Sequence, residues 1–352
     1  MGVRVLVKLL DAVCGVMTII PSILAAGGFL ASRIHPARHL AWQWMGLLLP
    51  LLLIINILLI FYWVVRGKLW FVAPLLAVLL NISYLPALFQ WPFKQIKPAA
   101  GRELKVATYN LQQGAAGGVS LISKFIDDEQ VDILCLQEFP GAGQARSEWM
   151  GELTGFLPYH AVDSFSSEAM QVALFSKYPI LQWQRIVFPD ESSNRALWAE
   201  LDIDGLAVRV CNTHLQTTHL NQYRATPSGD IYSTASQISG LKDMIDENGV
   251  IRACQADMIR EWIDESDTPV MVCGDFNDTP ASYAYRRIKG SMEDSFRTCG
   301  RGYGYSYRYL CKLFRIDYIF YSGDWFRGTT YYSPDLEYSD HKPVIVTLNI
   351  KP

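Results

Sequence analysis

The first hundred residues contain one acidic side chain, Asp11, and positions 9–91 hold only five charged residues, Asp11, Arg33, Arg38, Arg66 and Lys68. A stretch so long and so poor in charge excludes a single uniform soluble globule. The mean hydropathy of +0.12 therefore averages two unlike parts. Cysteine is scarce: seven, an odd number with no CxxC pair, which excludes a small disulfide scaffold. Cys299 and Cys311 flank a Gly/Tyr-rich loop, and their pairing stays open. The absence of HExxH and of any Cys/His cluster argues against a zinc site. There is also no P-loop and no GxSxG elbow.

What is present divides in two. Three apolar stretches run from about Leu9 to Ala31, Ala41 to Val65 and Leu69 to Trp91, each long enough to cross a bilayer as a helix. Trp42, Trp44, Tyr62, Trp63, Trp70 and Trp91 gather at their ends, as in an interfacial belt. The alternatives are a cleaved signal peptide for the first stretch, or buried core helices. The length of the runs and the two stretches that follow the first weigh against both. Residues 1–98 thus read as an anchor of three transmembrane helices with the lipid bilayer as partner, and 99–352 as a catalytic domain. Basic residues divide four against four across the membrane, so charge bias does not fix the side of the domain. From residue 101 onward 23 basic residues face 33 acidic ones, a net charge of −10. That balance disfavours a broad phosphate-backbone footprint for nucleic acid.

In the second part Val/Ile/Leu-rich runs alternate with polar loops. Strands are expected at Leu104–Asn110, Ile133–Gln137, Val172–Ser176, Leu197–Ile203, Ala207–His214, Val270–Asp275, Ile316–Tyr321 and Pro343–Asn349. Helices are expected at Ser120–Asp128 and Ala253–Asp264. Residues 216–251 are polar, with a turn signal at Pro227-Ser228-Gly229-Asp230 and helical amphipathicity over Ile231–Glu247, and read as a mobile loop followed by a surface helix. A lid or a membrane-lying element is the sharper alternative there.

Polar residues recur where these strands end: Asn110, Glu138, His214, Asp275 with Asn277, then Asp317 and the pair Asp340-His341. Strand ends of an α/β sandwich converge on one edge, so these groups can share a pocket. Carboxylates and amides are hard oxygen donors suited to Mg²⁺, and two histidines supply acid–base groups near neutral pH. Each residue alone has a plainer reading. A terminal histidine can be structural, Asp-Phe-Asn a simple Asx turn, and Arg195 a solvated surface charge.

Taken together, KVATYNLQ (105–112), DILCLQE (132–138), VALFSKYPI (172–180), CNTHLQ (211–216), CGDFND (273–278), RIDYIFYS (315–322) and SDHKPV (339–344) resemble the endonuclease/exonuclease/phosphatase superfamily, the DNase I-like metal-dependent phosphoesterases. The resemblance implies a two-sheet, four-layer α/β sandwich preceded by the three transmembrane helices. It also implies Mg²⁺, with Mn²⁺ as a substitute, on Glu138, Asn110 and Asp340. Asp275 and Asn277 would position the attacking water, His341 would act in proton transfer oriented by Asp317, and His214, Asn277 and Arg195 would contact phosphate. Membrane-attached members lean the catalytic domain to the extracytoplasmic side of the cell membrane. Gln112, where abasic-site endonucleases carry an acid, weakens a repair reading, as does the presence of His214. The implied function is hydrolysis of a phosphodiester or phosphomonoester, on a lipid head group or lipid-linked phosphate. A nuclease, or a non-catalytic binding module on the same fold, are the alternatives.

Overall fold

The computed structural model describes residues 2–96, 100–112, 118–162, 171–190, 194–218, 231–309, 312–336 and 338–352. The chain opens with helices α1 (Gly2–Ala31), α2 (Ala41–Val65), α3 (Val72–Leu80) and α4 (Leu85–Leu88), then strands β1 (Phe89–Gln90) and β2 (Glu103–Asn110). Next come α5 (Val119–Glu129), β3 (Ile133–Phe139), α6 (Gln144–Leu153), β4 (Tyr159–Val162), β5 (Gln171–Ser176), β6 (Ile180–Ile186), β7 (Arg195–Ile203) and β8 (Leu206–His214). The remainder is α7 (Ile231–Asp264), β9 (Val270–Asp275), α8 (Tyr283–Lys289), β10 (Glu293–Asp294), α9 (Ser295–Cys299), β11 (Gly302–Tyr303), β12 (Asp317–Tyr321), β13 (Phe326–Tyr332) and β14 (Val344–Ile350).

Two six-stranded sheets face each other, in orders β13-β14-β2-β3-β5-β4 and β10-β12-β9-β8-β7-β6. Val106, Cys135 and Leu174 of one sheet pack against Val210, Met271 and Ile319 of the other. The outer face of the first sheet is covered by Ile122, Phe125 and Ile126, one stripe of α5, with Trp149 and Leu153 of α6. The outer face of the second is covered by Ala256, Ile259 and Ile263 of α7 and by Tyr285 and Ile288 of α8. Helix, sheet, sheet and helix make the four layers expected from the sequence. Central strands buried on both faces carry apolar runs without alternation, and every residue of β5 and β9 is buried.

The N-terminal helices depart from the expected three continuous spans. α1 and α2 are long and apolar enough to cross a membrane. The third stretch is broken. α3 stops at Asn81, whose Nδ2 donates to Ala25 O and Ala77 O at 2.8 and 2.9 Å, and tight i→i−3 turns carry the chain on to Tyr84. Pro86 then stands in the first turn of α4, where its missing N–H is tolerated. Apolar count alone does not register a side-chain amide that competes for helix carbonyls. The helices are tied by Ser22 donating to Asn56 Oδ1 at 2.8 Å, Trp63 donating to Thr18 Oγ1 at 2.7 Å, and an Asp11–Arg66 ion pair. These interhelical polar bonds and the packing of Ala25 on Leu49 and Leu53 hold the helices together.

Residues 231–264 form one 34-residue helix, which takes in the helical stretches expected at Ile231–Glu247 and Ala253–Asp264 and joins them without a break. The turn signal at 227–230 and Cys311 lie outside the described residues.

Candidate active site

The site follows from strand direction. β2 runs parallel to β3 in one sheet, and β8 parallel to β9 in the other, so each pair ends at a common edge. Asn110 closes β2, His214 and Asp275 close β8 and β9 in register, and Glu138 sits at the end of β3. β12 and β14 are antiparallel to these strands, so the start of each, Asp317 and the residues after His341, comes to the same edge. A buried amide bridge clamps the two sheets just behind it. Gln137 Nε2 donates to Asn212 Oδ1 at 2.6 Å, while Asn212 Nδ2 donates to Leu136 O and Ala173 O at 2.9 Å.

Glu138 has φ +52° and lies where the β3–β5 register shifts. This bulge turns its carboxylate out of the ladder and into the cleft, with the side chain 19% exposed. Gln112 and Asn277 share the left-handed conformation, at φ +46° and +51°. Three non-glycine residues held in a sparsely populated region around one cleft are strain retained by their surroundings.

Asn110 links the sheets. Its Nδ2 donates to Asp275 Oδ2 at 3.0 Å and Glu138 Oε1 at 3.3 Å, and its Oδ1 accepts from Gln112 N at 3.0 Å. The amide nitrogen thus faces both carboxylates and orients them. Asp275 is fully buried and accepts further from Asn277 N at 2.8 Å and Asn277 Nδ2 at 3.2 Å. Burial nonetheless pushes its carboxyl up to about 6, helped by the neighbouring Asp317 and opposed by His341.

His341 Nδ1 is 2.9 Å from Asp317 Oδ2, and its Nε2 lies 3.7 Å from Asp275 Oδ2 and 3.9 Å from Asp340 Oδ1. Burial pulls its pKa down, but the charges of Asp317 and Asp275 outweigh this and hold it at about 10, so the ring is an imidazolium at neutral pH. His214 Nε2 sits 3.8 Å from Asp275 Oδ2 and 3.9 Å from Glu138 Oε1. Arg195, the first residue of β7, is the cross-strand partner of His214 and stands at the rim. All the residues singled out in the sequence therefore meet at one edge.

The loop 304–309 was not read from the sequence as part of the site. Ser306 Oγ accepts from Ile316 N and Asp317 N at 2.9 and 3.0 Å, fixing the start of β12. Arg308 N donates to Asp340 O at 2.8 Å, and the Tyr307 ring packs edge-on to His341 at 5.3 Å. The GYGYSYRY run was the available signal, visible only as a Gly/Tyr-rich loop.

The donor set suits a divalent cation. Asp275, Asp317 and Asp340 surround His341, and Glu138 stands beside His214, so four carboxylates gather at a largely buried edge. Asp317 Oδ1 is buried with no hydrogen-bond partner among the described residues. Ligand atoms of Asp275, Asp317 and His341 lie within 4.8 Å of one another. The His341–Asp317 hydrogen bond already engages two of these three residues, so Glu138, more open to the cleft, is the better-placed donor for a hydrated ion.

The profile of the Endonuclease/Exonuclease/phosphatase family matches residues 107–341. This chain belongs to that family. Its members are phosphoester hydrolases that generally use a divalent metal, and the chain is an enzyme of that class. Residues 11–88 match a Domain of unknown function (DUF8431). No curated protein matches the chain. Among solved structures, the family member from Bacteroides vulgatus superposes with a TM-score of 0.52 at 20% identity, covering 71% of this chain and 100% of that one. D. rerio TDP2 complexed with single strand DNA product gives 0.52 at 15% identity, over 70% of this chain and 99% of that one. At such identities the likeness is one of fold.

Proposed function

We propose that the chain is a membrane-anchored, Mg²⁺-dependent phosphoesterase acting on a phosphodiester or phosphomonoester of a lipid head group or lipid-linked carrier. One observation carries the lipid assignment: the apolar helices are docked onto the catalytic sandwich rather than tethered to it. Asp246 of α7 accepts from Gln43 Nε2 and Trp44 Nε1, each at 2.7 Å, at the start of α2. The Arg315 guanidinium, buried and paired with Asp294, donates to Ala87 O at 2.9 Å at the end of α4. Large apolar side chains of α1 and α2 remain exposed, among them Ile23, Ile54, Leu58 and Phe61. A bilayer covers such a surface. A body fixed to helices in a bilayer keeps its site within reach of lipid head groups.

In this reading Glu138 and Asp340 hold Mg²⁺, with Asn110 fixing the Glu138 carboxylate. When bound, the ion offsets charge on the phosphoryl oxygens and the leaving group. Asp275, held by Asn110 and Asn277, is the base that orients and deprotonates the attacking water. Cationic His341, braced by Asp317, donates to a phosphoryl oxygen and stabilises the charge that develops there. His214 and Arg195 contact the phosphate from the β7–β8 side.

The reading is tested with the full chain in lipid nanodiscs with Mg²⁺ or EDTA. Lipid phosphates, a soluble phosphodiester and plasmid DNA are offered in parallel. Turnover of DNA alone would replace the lipid reading with the nuclease one, which the net charge of −10 over 101–352 disfavours.

A further inference from the structure

Where the N-terminal helices meet the sandwich, they enclose a cavity of about 100 Å³ on the α8 and α9 side. Four cations from three separate elements line it: Arg33 just after α1, Arg286 and Lys289 of α8, and Arg297 of α9. No carboxylate lines it among the described residues. Glu293 and Asp294 lie near enough to act on Lys289 without lining the cavity, and two of the neighbouring acids have partners of their own. Asp257 pairs with Arg287 and accepts from Tyr283 at 2.8 Å, and Asp294 pairs with Arg315. Arg286 and Lys289 are three residues apart on one helix face, while Arg287 points away to Asp257. The Arg33 guanidinium is pinned by a 2.7 Å bond from Nη1 to Phe29 O and lies 3.5 Å from the Phe29 ring centroid. The N-terminal helices and the turn after α3 contribute both apolar and polar lining, with Gly28 and Leu49 beside Ser32, Asn81, Ser83 and Tyr84.

Like charges converging on one cavity are unfavourable. Burial lowers the Lys289 pKa, and the Arg297 charge lowers it further, with Glu293 and Asp294 offsetting this only in part; Arg33 is lowered by burial and by Arg286. Cations at the last turn of a helix complement its carbonyl end. Arg286 and Lys289 of α8, Arg297 of α9 and Arg33, which bonds Phe29 O at the end of α1, each stand at such an end, but this does not account for three helix ends bringing their cations to one cavity. The volume is about that of three waters at ~30 Å³ each and well below the ~300 Å³ of a typical ligand pocket. It has room for a single phosphate group.

We infer that this cavity is a second, non-catalytic anion site that takes a phosphate group, supplied by an anionic lipid head group at the bilayer surface or by free phosphate. None of its lining residues belongs to the catalytic edge. Only the lipid source rests on the membrane-anchor reading proposed above. An anion held there would tie α1 to α8 and α9, and so bind the helices to the sandwich.

The test uses the full chain carrying Glu138→Gln, in detergent with EDTA, so that no turnover obscures binding. Inorganic phosphate, dioctanoyl phosphatidic acid and dioctanoyl phosphatidylcholine are titrated by calorimetry. Phosphatidic acid is expected to bind and phosphatidylcholine not. Combining Arg286→Gln with Lys289→Gln should weaken binding at least about tenfold, whereas Arg327→Gln, an exposed position of β13 outside both sites, should leave it unchanged. The charge-preserving pair Arg286→Lys and Lys289→Arg should retain binding, which separates charge from folding. Inorganic phosphate binding as tightly as phosphatidic acid supports the site with a free-ion source. Binding that is absent, or unaffected by the paired Gln variant, overturns the site. That result leaves hydrolysis of lipid phosphates standing, and failure of hydrolysis leaves the binding result standing.

Discussion

His341 Nδ1 and Asp317 Oδ2 are 2.9 Å apart, both buried, and this one contact fixes the orientation and the charge of the histidine at the catalytic edge. Asp317→Asn keeps the shape and removes the charge. The rate should fall about a hundredfold, the scale of a misplaced acid–base group. The alkaline limb of the pH profile should also move to lower pH, because the His341 pKa loses its largest supporting charge. A fall in rate with an unmoved alkaline limb would assign Asp317 a packing role only.

The pH dependence of the native chain follows from two groups. Asp275 must be ionised to act as a base, so activity should decline as pH drops through about 6. His341 must be protonated to donate, so activity should decline as pH rises toward about 10. Rates of soluble phosphodiester hydrolysis at saturating Mg²⁺ read both limbs. A flat profile between pH 5 and pH 10 would contradict the two assignments.

Asn277 has φ +51° and donates through Nδ2 to Leu215 O at 3.0 Å and Asp275 Oδ2 at 3.2 Å. In Asn277→Gly the backbone conformation is freely available, so stability should stay within ~1 kcal/mol of the parent. The rate should drop about a hundredfold because the base loses a brace. Chemical denaturation and steady-state kinetics on the same variant separate the two effects.

The junction between helices and sandwich can be loosened without touching the site. Gln43→Leu with Trp44→Phe removes both bonds to Asp246, which keeps Lys242 as a partner. Turnover of a soluble phosphodiester should be unchanged, and turnover of a lipid phosphate in nanodiscs should fall roughly tenfold, the scale of lost bonds to a charged acceptor. Equal losses on both substrates would mean that the junction serves stability alone.

The sandwich was legible because its central strands are buried on both faces. Val270–Asp275 reads as one apolar run ended by an acid, and its bounds match the expected ones. The catalytic edge was legible for the same reason, since a polar residue after such a run stands out. α7 was not legible. It buries Asn248, Arg252 and Gln255, each satisfied by a specific partner such as Gln216, Asp278 or Asp190, so a helix packed through polar contacts reads as a surface segment. The break at Asn81 and the brace from Ser306 depend on side-chain bonds between distant segments, for which hydropathy carries no signal.

The most direct measurement compares the full chain with Glu138→Gln in nanodiscs containing phosphatidic acid, with plasmid DNA as the competing substrate. The expected result is Mg²⁺-dependent release of phosphate from the lipid, reduced at least about a hundredfold in the variant, with little DNA cleavage. Efficient DNA nicking that vanishes in Glu138→Gln, with the lipid left intact, would contradict the lipid assignment while keeping the site.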